Sequence, residues 1–365
     1  MRSDKLGADS EIRPDSGLTE RATMQQVAAE AGVSIATVSR VLNSPDSVSP
    51  ELLGRVQLAV QRLGYRPNRT ARGLRGDRSI KRVGFVVSNI QNPFFTDILK
   101  GVEQTLIPDQ VAVLVGNSNN DLKYEQLNLD LMLEEQASGL IVHFASNRPK
   151  NYMTLVQSGV PVVCIDQVVP GMPMDSVVTD NCEAMRQATQ HLLQLGHRRF
   201  AFVGGPLEYM TARERQRGFV SALEDAGLGP DDYTIENGEW QLGGFYVAAS
   251  RLLDRIETPV ALLTVNNDAT IATLKIIRER GLRIPEDVAL VCFDEMPWTD
   301  AYNPPLTVVD QHPYHIGAVA AELLLSRMRN PDRPMQQVIL ECSLVVRQSC
   351  GTSIGTIAEK TTASG

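Results

Sequence analysis

Cysteine, aromatic residues and long apolar runs are all scarce in this chain, and each scarcity excludes something. Five cysteines in 365 residues are an odd number with no C-x-x-C pair, which argues against a disulfide framework and for a reducing compartment. No eighteen consecutive residues are apolar, so no transmembrane helix and no membrane partner are expected. The first twenty residues lack the apolar centre of a secretion signal, and a cytoplasmic location is expected. Recognisable catalysis is also missing. There is no G-x-G-x-x-G and no phosphate loop, and Gly204-Gly205-Pro206 alone is a weak signal. Gly351 to Gly355 has the letters of a serine-hydrolase elbow, but it sits in a polar tail with no histidine after it. His312 and His315 are three apart, but proline intervenes and no cysteine or acidic ligand set stands near in sequence. No catalytic residue, metal or cofactor is expected, and the chain does not read as an enzyme.

What is present begins at Thr23. The stretch TMQQVAAEAGVSIATVSRVLN contains two short helical patterns. Thr23 and Gln26 are spaced for a capping box, and Val27, Ala28 and Ala31 share one face. Gly32 suits a helix end that needs positive φ, and Ser34 can cap the next helix. Val38, Val41 and Leu42 should be buried, which leaves Ile35, Ala36, Ser39 and Arg40 facing outward. A forked arginine beside small and apolar side chains suits a major groove, where guanine presents two acceptors and thymine a methyl. An ordinary helical hairpin with one solvated arginine is the alternative. A third helix is marked by Ser49 as cap and Pro50 at the first position, with Leu52, Val56, Ala59, Val60 and Leu63 as its apolar stripe before Gly64. Arginine then recurs at 66, 69, 72, 75 and 78. From Arg21 to Arg82 there are eleven basic and four acidic side chains in a chain whose net charge is −8. The basic footprint is therefore local, as a phosphate-binding patch requires.

From Val83 the pattern changes to short β-branched runs, starting at 83, 111, 139, 161, 200, 261 and 288, each separated by a helical pattern. Alternating strands and helices imply parallel sheet covered on both faces. Helices are expected over Phe94–Leu106, Tyr124–Gln136, Cys182–Leu195, Thr211–Ala226, Leu242–Arg255, Ala269–Arg280 and Ile316–Met328. Seven strands over about 280 residues suit two sheet domains better than one. Cys164 and Cys292 lie in apolar strand runs and read as core thiols. Several strands end in polar groups, namely Ser88 and Asn89, Asp166, Asn266 to Asp268, and Asp294 with Glu295. Together they can line a ligand cleft. Asp268 alone reads better as a helix cap.

Motifs in a fixed order make the chain similar to the lactose-repressor and galactose-repressor family of bacterial transcription regulators, over about residues 22–350. They are VAAEAGVSIATVSRVLN, GYRPNRTARGL, VSNIQNPFF, LGHRRFAFVGGP, RQRGF, NND, LRIPEDVALVCFD and NPPLTVVDQ. The resemblance implies an all-α helix-turn-helix headpiece over 22–65, a hinge helix over 66–81, and an α/β two-lobed body with parallel sheets, resembling periplasmic sugar-binding proteins, over 82–350. The flanks 1–21 and 351–365 are expected to be disordered tails. It implies a homodimer on a palindromic double-stranded DNA operator, acting as a repressor under control of a small sugar-like effector. The tail lacks leucine heptads, so a dimer rather than a tetramer is expected.

The resemblance carries DNA contact to Ile35, Ala36 and Arg40, with Thr37 and Ser39 alongside, and to Thr23, Ser34, Asn43, Asn68 and Arg69. In the lactose repressor itself the first two positions are polar. Ile35 and Ala36 cannot donate hydrogen bonds, so most polar reading falls to Arg40. Leu74 matches a hinge leucine that wedges into the minor groove, or else is a dimer or core contact. Arg72 and Arg75 would meet phosphates. Gly73 weakens the hinge helix by about 1 kcal/mol relative to alanine. Effector contact is implied for Phe94, Phe95, Asp166, Thr179, Thr211, Arg215, Trp240, Asn267, Asp294 and Gln311. Carboxylates, amides and an arginine suit a polyhydroxylated ligand, and aromatic faces suit an apolar sugar face. One of Phe94 and Phe95 can instead be core, and Trp240 can cover a hydrophobic edge. A nucleoside or purine stacked between Phe94 and Trp240 is the second choice of ligand. A carbohydrate-binding protein that does not touch DNA would need an export signal and no basic headpiece, and the chain has neither property.

Overall fold

A computed structural model of the protein describes residues 22–43, 47–65 and 81–351. The expectations for the N-terminal tail, for Asn68, Arg69, Arg72, Leu74 and Arg75 in the hinge, for the tail from 352, and for the side chain of Asn43 lie outside the described residues. The chain divides into two compact units, 1–79 and 80–365.

The first unit holds three helices, α1 (Met24–Ala31), α2 (Ile35–Asn43) and α3 (Pro50–Leu63). Thr23 and Gln26 form the expected capping box, and Gly32 ends α1 at φ 62°. The Ser34 hydroxyl accepts from the Thr37 amide at 3.0 Å, which starts α2. Val27, Val38 and Val56 are fully buried where the three helices meet. Two expectations need correction. Ser49 occupies the cap position of α3 but its side chain makes no capping bond, so Pro50, with its pre-set φ, starts the helix. Leu63, the last residue of α3, is exposed rather than part of the stripe. Arg55 was not singled out in the sequence. Its guanidinium donates to the Ala31 carbonyl at 2.7 Å and the Gly32 carbonyl at 3.2 Å, closing the free end of α1.

The second unit contains two six-stranded sheets, with strands numbered along the chain. One sheet comprises β1 (Arg82–Val87), β2 (Ala112–Asn117), β3 (Gly139–Val142), β4 (Val162–Ile165), β5 (Asp175–Thr179) and β11 (Gln337–Leu340), in the order β11-β5-β4-β3-β1-β2. The other comprises β6 (Phe200–Gly204), β7 (Tyr233–Asn237), β8 (Val260–Thr264), β9 (Val288–Phe293), β10 (Thr307–Asp310) and β12 (Ser343–Val345), in the order β12-β10-β9-β8-β6-β7. Every pairing is parallel except β10 with β12. The two lobes thus repeat one topology, and the chain passes between them three times. Helix Asn181–Gln194 leaves β5 and packs on the second lobe, helix Pro313–Arg329 leaves β10 and packs on the first, and residues 341–342 join β11 to β12. All seven expected strands form. β5, β7, β10, β11 and β12 were not expected, because each is short and flanked or interrupted by polar residues. Helix Pro313–Arg329 begins earlier than expected, since His312 takes φ 54° and lets Pro313 sit at the first helical position. The five cysteines are free. Cys164 and Cys292 are core residues, and burial pushes both thiols up, Cys292 to about 12.

The crossing helices are held by close backbone contact. A Cβ on Gly317 would lie 2.0 Å from the Ile98 carbonyl oxygen, and one on Gly101 would lie 2.1 Å from that of Tyr314. Helix Pro313–Arg329 therefore touches helix Pro93–Leu106 through two glycines. For Gly317→Ala, overpacking costs about 1–3 kcal/mol or more and helix propensity returns about 1 kcal/mol. The obstacle is backbone, which cannot rotate away, so a net loss of about 2 kcal/mol is expected, read as a lower denaturation midpoint with unchanged slope.

Candidate functional site

Two regions collect the expected residues, one in each unit. In the first unit, α2 presents Ile35, which is 45% exposed, together with exposed Ala36 and Arg40. Val38 and Val41 hold the opposite face in the core. Thr23, Ser34 and Thr37 are engaged in starting the helices, with the Ser34 and Thr37 hydroxyls 2.8 Å apart, and Ser39 is half-buried. Among the described side chains of α2, Ile35, Ala36 and Arg40 are thus the exposed ones that take no part in starting the helix.

In the second unit, a cleft of about 630 Å³, counting the solvent at its mouth, opens beyond the carboxyl ends of the strands of both lobes. Phe94, Phe95, Asp166, Thr211, Arg215, Trp240, Asp294 and Gln311 line it. Arg215, 3% exposed, is its centre. Its Nε donates to Asn181 Oδ1 at 2.6 Å, Nη1 to the Val265 carbonyl at 2.7 Å and Nη2 to Gln311 Oε1 at 3.2 Å, and the guanidinium carbon lies 3.8 Å from the Phe293 ring centre. Gln311 donates in turn to Asp294 Oδ1 at 2.5 Å. Thr179 and Asn267 stand behind this wall rather than in it. Thr179 donates to Gln311 at 2.9 Å, and the Asn267 amide donates to Asp294 Oδ2 at 3.1 Å.

Asp166 and Asp294 follow β4 and β9, which hold the same place in the two sheets. Both take positive φ, 66° and 80°, and both donate their amides to the neighbouring strand, at Val177 and Val309. Such backbone costs about 1–3 kcal/mol and marks sites where geometry serves a purpose. Their electrostatics differ. Burial pushes the Asp166 carboxyl up, but the His143 hydrogen bond and the charges of His143 and Arg215 outweigh it and leave it below the ordinary value. Burial dominates at Asp294 and leaves it raised despite Arg215.

The lobes also touch directly. Asn92 and Asn267 exchange reciprocal amide bonds at 3.2 and 2.9 Å, Asn147 donates to the Glu208 carbonyl at 2.7 Å, and the Tyr209 hydroxyl reaches the Ala145 carbonyl at 3.4 Å. Asn267 is therefore a lobe-bridging residue. The aromatic wall is built edge to face: Phe94 on Phe95 at 5.2 Å, Phe95 on His143 at 4.9 Å, and Trp240 on Tyr209 at 5.7 Å. Phe94 and Phe95 are each 5% exposed and belong to the core of the first lobe as well as to the cleft. Asp268 is a correction. Asn266 caps helix Asn267–Glu279 by accepting from the Ala269 amide at 2.9 Å, so the Asp268 carboxylate is left facing the cleft.

Several lining residues were not singled out from sequence, among them Asn92, His143 and Tyr209. His143 follows a strand and read as part of it, while the N-P pair at 92–93 was a visible helix start. Behind His143, Glu125 is fully buried and accepts from Tyr152 and from the Ala145 amide. Burial raises its carboxyl above 4.5 despite both bonds. A raised folded value means stability present below the unfolded value and lost as pH rises through the folded one. Glu125→Gln removes that loss, so the variant should gain stability relative to the parent as pH rises from 4.5, whatever its constant offset. Parallel unfolding midpoints across pH would contradict this.

Residues 23–68 match the family described as bacterial regulatory proteins, lacI family, and residues 189–350 match a periplasmic binding protein-like domain. The HTH-type transcriptional repressor CytR of Escherichia coli strain K12 is 31% identical over 329 residues, covering 90% of this chain and 96% of the relative. Among solved structures, the lac repressor dimer bound to operator and the anti-inducer ONPF superposes with a TM-score of 0.79 at 26% identity, covering 91% of this chain and 99% of the other. A complex of the transcriptional regulator CelR with cellobiose superposes with a TM-score of 0.66 at 31% identity, covering 90% and 100%.

Proposed function

The chain belongs to the lacI family of bacterial regulatory proteins and is a ligand-responsive, DNA-binding transcription regulator rather than an enzyme; from that premise we propose that its effector is a small polyhydroxylated compound, a sugar or sugar derivative. It acts as a repressor, a homodimer on a palindromic operator, with affinity set by the effector. The observation that carries this reading is the wall of hydrogen-bonding groups around Arg215, which shares one cleft between two lobes with Trp240 and Tyr209. Hydroxyls both donate and accept, and an aromatic face covers the C–H face of a ring. The cellobiose held by one relative is a ligand of this kind. Ile35, Ala36 and Arg40 are the proposed base contacts. Ligand that bridges the lobes favours one closure state, and the coupling to DNA is reciprocal.

The test is a thermal-shift screen of sugars and nucleosides, followed by operator binding with and without each hit. At 100 times its Kd a ligand adds about 2.7 kcal/mol of stability. A sugar that raises the midpoint and changes operator affinity supports the proposal. If nucleosides alone do so, the ligand class is wrong.

A further inference from the structure

We propose that the cleft admits ligands that carry no anionic group, and that Asp268 is the residue that sets this choice. The inference rests on the cleft being the effector site and concerns which members of the polyhydroxyl class can enter. Three carboxylates line the cleft, Asp166, Asp268 and Asp294, against two basic side chains, Arg215 and His143. Both basic groups already face a carboxylate, Asp166. Arg215 spends its Nε, Nη1 and Nη2 on Asn181, Val265 and Gln311, and Asp166 Oδ1 lies 3.9 Å from Nη2. His143 Nε2 faces Asp166 Oδ2 at 3.2 Å.

Of the helix N-termini at the cleft, the other ordinary anion sites, two are already occupied by side chains. At helix Asn267–Glu279 the Asn267 amide is held by Asp294 and the Ala269 amide by Asn266, with Asp268 in the first turn. At helix Pro93–Leu106 the first residue has no N–H and the Phe94 amide is held by Asn92. Helix Met210–Asp225 begins without a side-chain cap and Thr211 in its first turn lines the cleft, so its amides are open to a ligand oxygen.

The groups that do lack hydrogen-bond partners suit a hydroxyl, which both donates and accepts. Asp166 Oδ1 and His143 Nδ1 are buried with no hydrogen bond, on residues each 9% exposed that line the cleft. Asp268 has no partner among the described residues. Hydroxyls satisfy all of these, whereas a phosphate or carboxylate adds repulsion from Asp268 that Arg215 does not relieve. A phosphorylated sugar should bind at least about 100-fold more weakly than its neutral parent.

The chain has two tryptophans, Trp240 in the cleft and Trp298 outside it. In full-length protein carrying Trp298→Phe, fluorescence quenching by caesium and by iodide at constant ionic strength reads the sign of charge at Trp240. Relative to free tryptophan amide, caesium should quench better than iodide, and adding Asp268→Asn should lower the caesium-to-iodide ratio about twofold. Iodide quenching as well as caesium, or a ratio unmoved by Asp268→Asn, would overturn the proposal. Matched sets, glucose with glucose 6-phosphate and glucuronate, and ribose with ribose 5-phosphate, are then compared by thermal shift. A charged member stabilising the parent protein more than its neutral counterpart also overturns it. If no member binds, the polyhydroxyl reading loses support, and the quenching result still decides this one.

Discussion

Arg215→Ala should cost about 3–5 kcal/mol of folding stability and abolish the effect of ligand on operator binding. The magnitude follows from what is left behind. The guanidinium is 3% exposed, and its removal strands Asp294 and Asp166 in the protein without their shared counter-charge. Asn181 and the Val265 carbonyl lose a donor, and Gln311 Oε1 keeps only the Thr179 hydroxyl. Arg215→Lys is the informative companion, since one ammonium on a flexible stem cannot reach Asn181, Val265 and Gln311 together. It should recover part of the stability and little of the coupling.

Acid supplies a check on the cause. Asp166 sits below its ordinary 3.8 in the folded chain, so its contribution is present above that pH and is lost as pH falls through the folded value. Most of the alanine variant's deficit comes from ionised carboxylates without a partner. The deficit should therefore shrink as pH falls toward and below 3.8, and denaturant titrations at several pH values measure this. A deficit independent of pH would assign the cost to lost packing on Phe293.

Helices and central strands of this protein were legible because their apolar residues recur at the spacing of the element. β9 is buried at all six positions and reads as an unbroken apolar run. β5, Asp175 to Thr179, is just as buried, but it starts on a carboxylate that reads as loop. Only tertiary structure explains that residue: Arg327 and Arg333 both reach the buried Asp175. Pairing at the sheet edges, as in β11 and β12, depends on what the rest of the chain brings alongside and has no local signature.

The cleft shows the same division. Residues within recognisable motifs, such as Arg215 in RQRGF, could be placed in advance. The partner each one takes could not. Asn92 and Asn267 are 175 positions apart and meet only because the lobes close on each other. The sequence points to Asp268 as the cap and Asn266 performs it, because either residue type can accept from a first-turn amide and only the backbone decides which is placed to do so.

Arg40→Ala should weaken binding to a selected palindromic operator by a factor between about 30 and 20,000 while leaving binding to random DNA nearly intact. With Arg40 as the proposed polar base contact, each good bidentate pair with guanine is worth about 1–3 kcal/mol of discrimination, and a dimer makes the contact in both half-sites. Neighbouring positions offer no compensation. Ile35 and Ala36 are exposed on the same helix but carry no hydrogen-bonding side-chain atoms, so thymine methyls and groove shape are all they can sense. In the proposed reading nonspecific affinity rests on phosphate contacts by the other basic groups between residues 21 and 82, so its dependence on salt should change little. Arg40→Lys separates charge from geometry. The lysine keeps the charge and loses the fork, so its salt dependence should match the parent's while its preference for the operator falls with the alanine variant's. Gel shifts with operator and scrambled DNA at two salt concentrations measure both quantities. Undiminished operator binding by Arg40→Ala would remove α2 as the reading helix, and a uniform loss on all DNA would make Arg40 a phosphate contact.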